Sequence, residues 1–452
     1  MNDSAENEVV LPESEVKNKS DSKKKKKSKT IIDELDDAIL ELESLNITIR
    51  NPLLFNPENG ESIRKIGEWT SPLVTDKTVV QQFKNGIYPE GEISEYSSGN
   101  KKRTTDEEKR HLENLSFERY NDMRKAAEVH RQARRYIQSV IKPGTIYSIH
   151  LYRPTYILQI ALGLSCLDIV QALEFKTKYL IESQGLKSGW GFPTGCSLNS
   201  CAAHYTPNHG DKTIFHKNDV MKLDFGTHVN GYIIDSAFTI AFDEKYDPLI
   251  ESTKEATNTG VKLAGIDART SELGEAIQEV IESYEITLKN KTHKIKPIRN
   301  LTGHNIGQYV IHAGKAVPIV GNTNNRDIME EGEVFAIETF ATTGSGMVVE
   351  KMECSHYMKN PNSIYAPIRL KSAREALNVI NREFSTLPFC KRWLDDLTNR
   401  RGSMVLRSLV DAGIVVPYPP LSDNNHSFTS QMEHTILLRP TCKEVLSRGD
   451  DY

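Results

Sequence analysis

Asp224 and Asp235 stand in a segment, KLDFGTHVNGYIIDSAFTIAF from Lys222 to Phe242, that otherwise reads as a buried hairpin. Asn230-Gly231 predicts a two-residue type I′ turn, because both residues tolerate positive φ. Counting outward from that turn sets Val229 opposite Tyr232, Asp224 opposite Ala237 and Asp235 opposite Gly226. The two aspartates become diagonal neighbours on one sheet face, with Cα atoms roughly 7–8 Å apart. Their direct partners are small, so empty volume is expected above the pleat. An aspartate in a strand is usually solvated on a wet face. Here Leu223, Phe225, Ile234 and Phe238 make the segment apolar, and like charges in such surroundings are destabilising unless a cation or a shared proton compensates.

Further ligand types occur along the chain. His304 lies between Gly303 and Gly307, where the backbone can approach a site closely; alone it reads as well as a structural histidine. Glu338 is the one ionisable residue of a buried-looking strand, Val334 to Phe340, and Glu433 repeats that pattern in Ser430 to Leu438. A carboxylate left unpaired inside costs several kcal/mol, so each must be neutral, paired or metal-bound. Four carboxylates and one imidazole favour hard or borderline ions (Mn, Co, Fe(II) or Zn) over a thiolate zinc site. Two such ions about 3.5–4 Å apart activate water and hold attacking and leaving atoms, which points to hydrolysis.

The ordered set Asp224, Asp235, His304, Glu338, Glu433 resembles the ligand signature of the pita-bread metallopeptidases, which include methionine aminopeptidases, proline dipeptidases and X-Pro aminopeptidases. The wording around it is narrower. FPTGCSLNSCAAHYTPN from Phe192, GHNIGQYVIHAGKAVPIV from Gly303, ECSHYMKN from Glu353 and HTILLRPTCKEVLSRGDDY from His434 resemble eukaryotic type 2 methionine aminopeptidases, over roughly Thr78 to Tyr452. The resemblance implies an α+β pita-bread fold and two divalent ions per chain. It also implies removal of the initiator methionine from nascent chains whose second residue is small. By position, Asp224 would ligate one ion in bidentate fashion, Asp235 and Glu433 would bridge, and His304 and Glu338 would complete the second. Glu338 would also exchange a proton with the attacking water, and His204 and His312 would contact the scissile amide and its carbonyl. Phe192, Ile311, Phe340, His356, Met358, Tyr418 and Gln431 would line or border the methionine cup. Two rivals stay open: a proline-specific peptidase of the same fold, and a non-catalytic relative that binds ribosomes or RNA.

The elements that must position these residues read as a mixed α+β core. Thr105-Asp106-Glu107-Glu108 predicts a capping-box start to one long helix ending near Ile141, before Pro143-Gly144. Helices are also expected at Leu167 to Glu182, Pro248 to Ala264 and Thr270 to Glu285, with strand text resuming at Ile295. Between Glu338 and Glu433, a helical insertion at about 360–416 (Ala373 to Phe384, Lys391 to Asn399, Met404 to Ala412) resembles the one that distinguishes type 2 from type 1 enzymes. The stretch 51–104, rich in Pro, Gly, Asn and Ser with short extended pieces such as Thr78 to Phe83, reads as a strap over the catalytic domain 105–452.

Residues 1–50 are polar, with an unbroken Lys23 to Lys27 run that cannot bury enough surface to fold, and read as a disordered tail. Attraction to ribosomal RNA and simple solubilisation or nuclear localisation are equally open readings of that run. Ile31 to Leu45 is acidic and helix-compatible. The six cysteines show no paired metal spacing and no signal peptide opens the chain, so reduced thiols in cytosol are expected. The most apolar run, Tyr156 to Leu164, is too short to span a bilayer, and a monomer is expected. One piece departs from the family pattern: Thr145 to Gly163, TIYSIHLYRPTYILQIALG, is apolar and aromatic and lacks turn chemistry. It reads as a retained intron or gene-model error; tryptic fragments of the native protein containing Tyr152 or Tyr156 would show it to be real.

Overall fold

The computed structural model describes residues 77–96, 98–141, 164–321, 324–363, 368–398 and 402–452. The lysine run, Ile31 to Leu45 and Thr145 to Gly163 lie outside these residues. The described chain opens on a one-turn helix, α1 (Val79–Gln82), where an extended piece was expected. The reason is a local capping box: Thr78 Oγ1 accepts from Gln81 N at 3.3 Å while Thr78 N donates to Gln81 Oε1 at 3.1 Å. A short strand, β1 (Glu92–Ser94), comes after it. The expected long helix is two, α2 (Glu107–Leu115) and α3 (Phe117–Val140), divided at Ser116, whose hydroxyl donates back to Leu112 O. Asp106 rather than Thr105 is the N-cap, accepting from Lys109 N at 3.0 Å.

α3 is buried along most of its length and packs with α4 (Cys166–Ile181) against a three-stranded antiparallel sheet. That sheet holds β2 (Ser188–Leu198), which leads into β3 (Cys201–Ala203) of a smaller sheet, then β4 (Val220–Val229) and β5 (Tyr232–Ala241), in the order β2-β4-β5. The β4-β5 register is the one read from Asn230-Gly231: Val229 pairs with Tyr232, Asp224 with Ala237 and Gly226 with Asp235. Asn230 and Gly231 have φ of 50° and 79°, as a type I′ turn requires.

Helices α5 (Asp247–Leu263) and α6 (Thr270–Glu282) come next. α6 ends three residues short of the expected Glu285, because a hairpin of β6 (Glu285–Leu288) and β7 (Lys291–Lys294) begins there. Its turn places Lys289 and Asn290 at positive φ without a glycine, so the usual sequence signal is missing. Then come β8 (Thr302–Ile306), β9 (Ala316–Pro318), β10 (Val334–Thr342), β11 (Val349–Glu350) and β12 (His356–Lys359). The helices α7 (Lys371–Glu383), α8 (Lys391–Leu397) and α9 (Gly402–Asp411) precede β13 (Val415–Tyr418), β14 (Leu421–Ser422), β15 (Thr429–Leu438) and β16 (Lys443–Val445). The larger sheet runs β1-β16-β15-β10-β8-β9, and α5 packs on β10 and β15.

Two joints hold these elements in register with one another. At the first, β16 covers only Ile436–Leu438 of one edge of β15, and the rest of that edge meets β5 through side-chain hydroxyls instead of a ladder. Thr435 Oγ1 accepts from Asp235 N at 2.8 Å and donates to Asp235 O; Thr239 Oγ1 accepts from Gln431 N and donates to Gln431 O; Ser236 Oγ donates to Glu433 O at 2.7 Å. A hydroxyl both donates and accepts, so Thr435 and Thr239 each replace a pair of ladder bonds and Ser236 adds a single one. The second joint anchors α7–α9. β12 and β13 pair at the base of this insertion, Arg392 forms a bidentate pair with Glu174 of α4 at 2.7 and 2.8 Å, and Trp393 stacks on Trp190 of β2 at 4.6 Å.

Candidate metal and peptide site

Asp224 and Asp235 come from the first sheet, His304, Glu338 and Glu433 from the second, and the hydroxyl seam brings them together. Glu338 and Glu433 are direct cross-strand partners, and His304 lies opposite Ala336, two residues from Glu338. His304 Nε2 is 3.6 Å from Asp235 Oδ2 and 3.8 Å from Glu338 Oε1. Ligand atoms of Asp235, His304 and Glu433 all lie within 4.8 Å of one another. His304 Nδ1 faces Asn305 O at 3.4 Å, which leaves Nε2 for the carboxylates.

Asp235, His304 and Glu433 are buried, while Asp224 and Glu338 are partly exposed. Both carboxylate oxygens of Glu433 and Oδ1 of Asp224 are buried without a hydrogen-bond partner. Burial first, then Asp235, Glu338 and Asp224, holds the Glu433 carboxyl well above its ordinary range. Burial raises Asp235 and Glu338 in the same direction, with Asp224 adding to both, and lifts Asp224 to about 6. Burial, with help from His312, pushes His304 down to about 3, so its imidazole is a neutral donor of lone pairs. Orphaned carboxylate oxygens converging with a neutral imidazole fit divalent cations, which would remove the repulsion that the protein leaves standing.

The group opens into a cavity of about 250 Å³ lined by Phe192, His204, Ile311, His312, Phe340, His356, Met358 and Tyr418, together with Asp224, Asp235, His304, Glu338 and Glu433. Two expectations change. The volume above Gly226 is not empty: a Cβ there would lie 2.4 Å from the Phe192 ring, so the missing side chain admits that ring beside the aspartates. Gln431 is not on the cavity wall. It is fully buried beneath, its Nε2 donating to Asp224 Oδ2 at 3.1 Å and to Glu338 Oε2 at 3.3 Å. His204 holds its ring in place at φ 65°, a conformation costly for a non-glycine residue, with Tyr418 edge-on at 6.0 Å and His356 at 6.1 Å. Burial, with His312 adding, lowers His204 to about 4, and burial lowers His312.

Residues not expected from sequence also line the cavity: Pro193, Ala203, Asn300, Leu301, Thr302 and Pro388. Asn300 to Thr302 directly precede Gly303-His304, so proximity in sequence offered a signal. Pro388 arrives through the folding of the helical insertion, for which no local signal exists.

A mixed α+β scaffold that turns four carboxylates and an imidazole into one pocket defines a metallohydrolase. The model of Metallopeptidase family M24 matches residues 121–364, and the chain belongs to this family. Its fold is the expected α+β pita-bread arrangement, and membership implies the use of divalent metal. Among curated relatives, the chain is 56% identical over 370 residues to methionine aminopeptidase 2 of Schizosaccharomyces pombe, covering 82% of each chain. It is 54% identical to the Dictyostelium discoideum enzyme of that name, over 83% of this chain and 81% of the relative. It is 50% identical to methionine aminopeptidase 2A of Arabidopsis thaliana, over 83% and 80%. A solved structure titled a thermophilic Arx1 shares the fold, with TM-score 0.59 and 17% identity over 73% of this chain and 91% of that one. No helix among the described residues is long and apolar enough to cross a membrane.

Proposed function

We propose that this chain is a metallo-exopeptidase that removes the N-terminal methionine from nascent proteins whose second residue is small and uncharged. The observation that carries the reading is the convergence of Asp224, Asp235, His304, Glu338 and Glu433 in one cavity that Phe192, Ile311, Phe340 and Met358 also line. The apolar part of that cavity takes the unbranched methionine side chain. The polar part takes the peptide bond.

In this reading Asp224, Asp235, His304, Glu338 and Glu433 would hold two divalent ions. Once bound, such ions would supply Lewis acidity and lower the pKa of a water at neutral pH. His204 and His312, neutral because burial lowers both, hydrogen-bond the scissile amide and its carbonyl oxygen. A carboxylate oxygen of Glu338 takes a proton from the attacking water and delivers it to the leaving amine nitrogen as the C–N bond breaks. Free methionine and the shortened chain leave. Gln431 acts from beneath, orienting Asp224 and Glu338 through its amide, while Phe192, Ile311, Phe340, His356, Met358 and Tyr418 shape the cup.

The catalytic domain, from residue 105 with the helical insertion, works in the cytoplasm as a monomer. The Lys23 to Lys27 run gives ribosome association. Deleting it weakens salt-sensitive co-sedimentation with ribosomes and leaves peptide turnover intact. The decisive assay strips the protein with chelator and measures methionine release from Met-Ala-Ser as Co, Mn, Zn and Fe(II) are restored in turn. Release with at least one ion and none from Xaa-Pro peptides is expected. No release with any ion, or cleavage of Xaa-Pro, overturns the assignment.

A further inference from the structure

An open strand edge adjoins the cavity wall. Asn300, Leu301, Thr302 and Tyr418 line the cavity, and the segment 347–352 is tied to Asn300 and to the residues just beyond Tyr418. Asn300 Nδ2 donates to Val348 O at 2.8 Å, and Val348 N donates to Asn300 Oδ1 at 3.0 Å. On its other side, β11 pairs with β14, Val349 with Ser422 and Glu350 with Leu421, and Lys351 N donates to Pro420 O at 2.9 Å, two residues beyond Tyr418. β11 is the outer strand of the sheet β11-β14-β3.

Main-chain groups alternate in direction along a strand. Val348 faces Asn300, and Lys351 faces the β14 side. Glu350 therefore turns its N–H and C=O to the open edge, on the side from which Asn300 approaches. Flanking this edge, Met347, Val349 and Met352 are 44%, 56% and 58% exposed. Met347 and Val349, two residues apart, share a face. Apolar side chains around an unpaired edge at the lip of a pocket are the features by which a sheet receives an extended peptide as an added strand.

We propose that the edge at Glu350 is a subsite for the substrate's main chain beyond its second residue. The inference rests on the reading that the cavity takes the N-terminal residue. The chain leaving the cavity exchanges hydrogen bonds with Glu350 N–H and C=O and sets a side chain against Val349, just beyond the stretch of this edge that Arg299 and Asn300 already cover at Gly346 and Val348. Main-chain pairing is indifferent to sequence, which suits an enzyme that must act on many different proteins.

The test compares Met-Ala-Ser with the hexapeptide Met-Ala-Ser-Ser-Val-Ser, and with hexapeptides N-methylated at one amide at a time from the third residue onward. The hexapeptide should show a KM roughly three- to tenfold lower at unchanged kcat, the scale of one or two net hydrogen bonds. N-methylation should erase the gain at one position, the amide that donates to Glu350 C=O, and spare its neighbours, because successive amides point to opposite sides of an extended chain. Glu350→Pro, which lacks the N–H, should bring the ratio of hexapeptide to tripeptide kcat/KM toward one. Equal KM for the two peptides, or a methylation scan with no single sensitive position, overturns the subsite while the peptidase reading stands. Absence of methionine release from both peptides overturns the peptidase reading and the subsite together.

Discussion

Glu433 has two buried carboxylate oxygens and no hydrogen-bond partner for either, so its charge works against the fold until a cation arrives. Its folded value is raised above the ordinary 4.5, first by burial and then by Asp235, Glu338 and Asp224. Between those two values the folded chain holds more protons than the unfolded one, so stability falls as pH rises through the window. The buried histidines, lowered to about 3 for His304 and about 4 for His204, act oppositely below their ordinary 6.5. The comparison of Glu433→Gln with the unaltered chain cancels them. Under chelator, Glu433→Gln should melt higher, with the difference in Tm growing from pH 5 to pH 8, and should lose metal uptake. A difference constant with pH would mean that the carboxylate is not repelled. Gly226 gives a steric counterpart. Gly226→Ala sets a methyl 2.4 Å from the Phe192 ring, an overpacking that should cost about 1–3 kcal/mol of stability. Pushing the ring into the cup should also raise KM for Met-Ala-Ser at least several-fold.

At the scale of elements, the site depends on two joints that no single strand announces. Asp224 and Asp235 were readable because Asn230-Gly231 fixes the β4-β5 register. The meeting of β5 with β15 depends on Ser236, Thr239 and Thr435, residues that look like ordinary strand fillers. The helical insertion was legible as helices from periodicity, yet its role in holding β2 and Phe192 was not, because it joins Arg392 and Trp393 to Glu174 and Trp190, far away in the chain. Arg392→Ala leaves the buried Glu174 carboxylate without its bidentate partner and should destabilise the protein by about 3–5 kcal/mol in denaturant titration. Arg392→Ala unfolding at the same denaturant concentration as the unaltered chain would show that the insertion is held by its apolar contacts alone. The division at Ser116 and the β6-β7 hairpin were missed for a different reason. A serine bonding back to its own helix, and a positive-φ turn of Lys289 and Asn290, carry no distinctive composition.

At the scale of the whole molecule, ligands from two sheets close on one point, so metal and fold are coupled. Chelation at pH 7.5 should lower Tm, re-addition of any ion that restores activity should raise it again, and the shift should shrink toward pH 5 as the carboxylates take up protons. A Tm indifferent to chelator would place the ions outside this cluster. The sequence by itself determined which residue types could carry the chemistry, because a carboxylate in an apolar strand must be neutralised whatever the fold. It also determined the hairpin that sets Asp224 near Asp235, because turn chemistry is local. Only the tertiary structure decided that Gln431 lies under the carboxylates rather than on the cup, that the Phe192 ring fills the space left by Gly226, and that Pro388 and Asn300 complete the wall. Those placements depend on which strands meet across the seam and on how the insertion packs, and contacts between residues distant in the chain leave no periodicity from which they could be read.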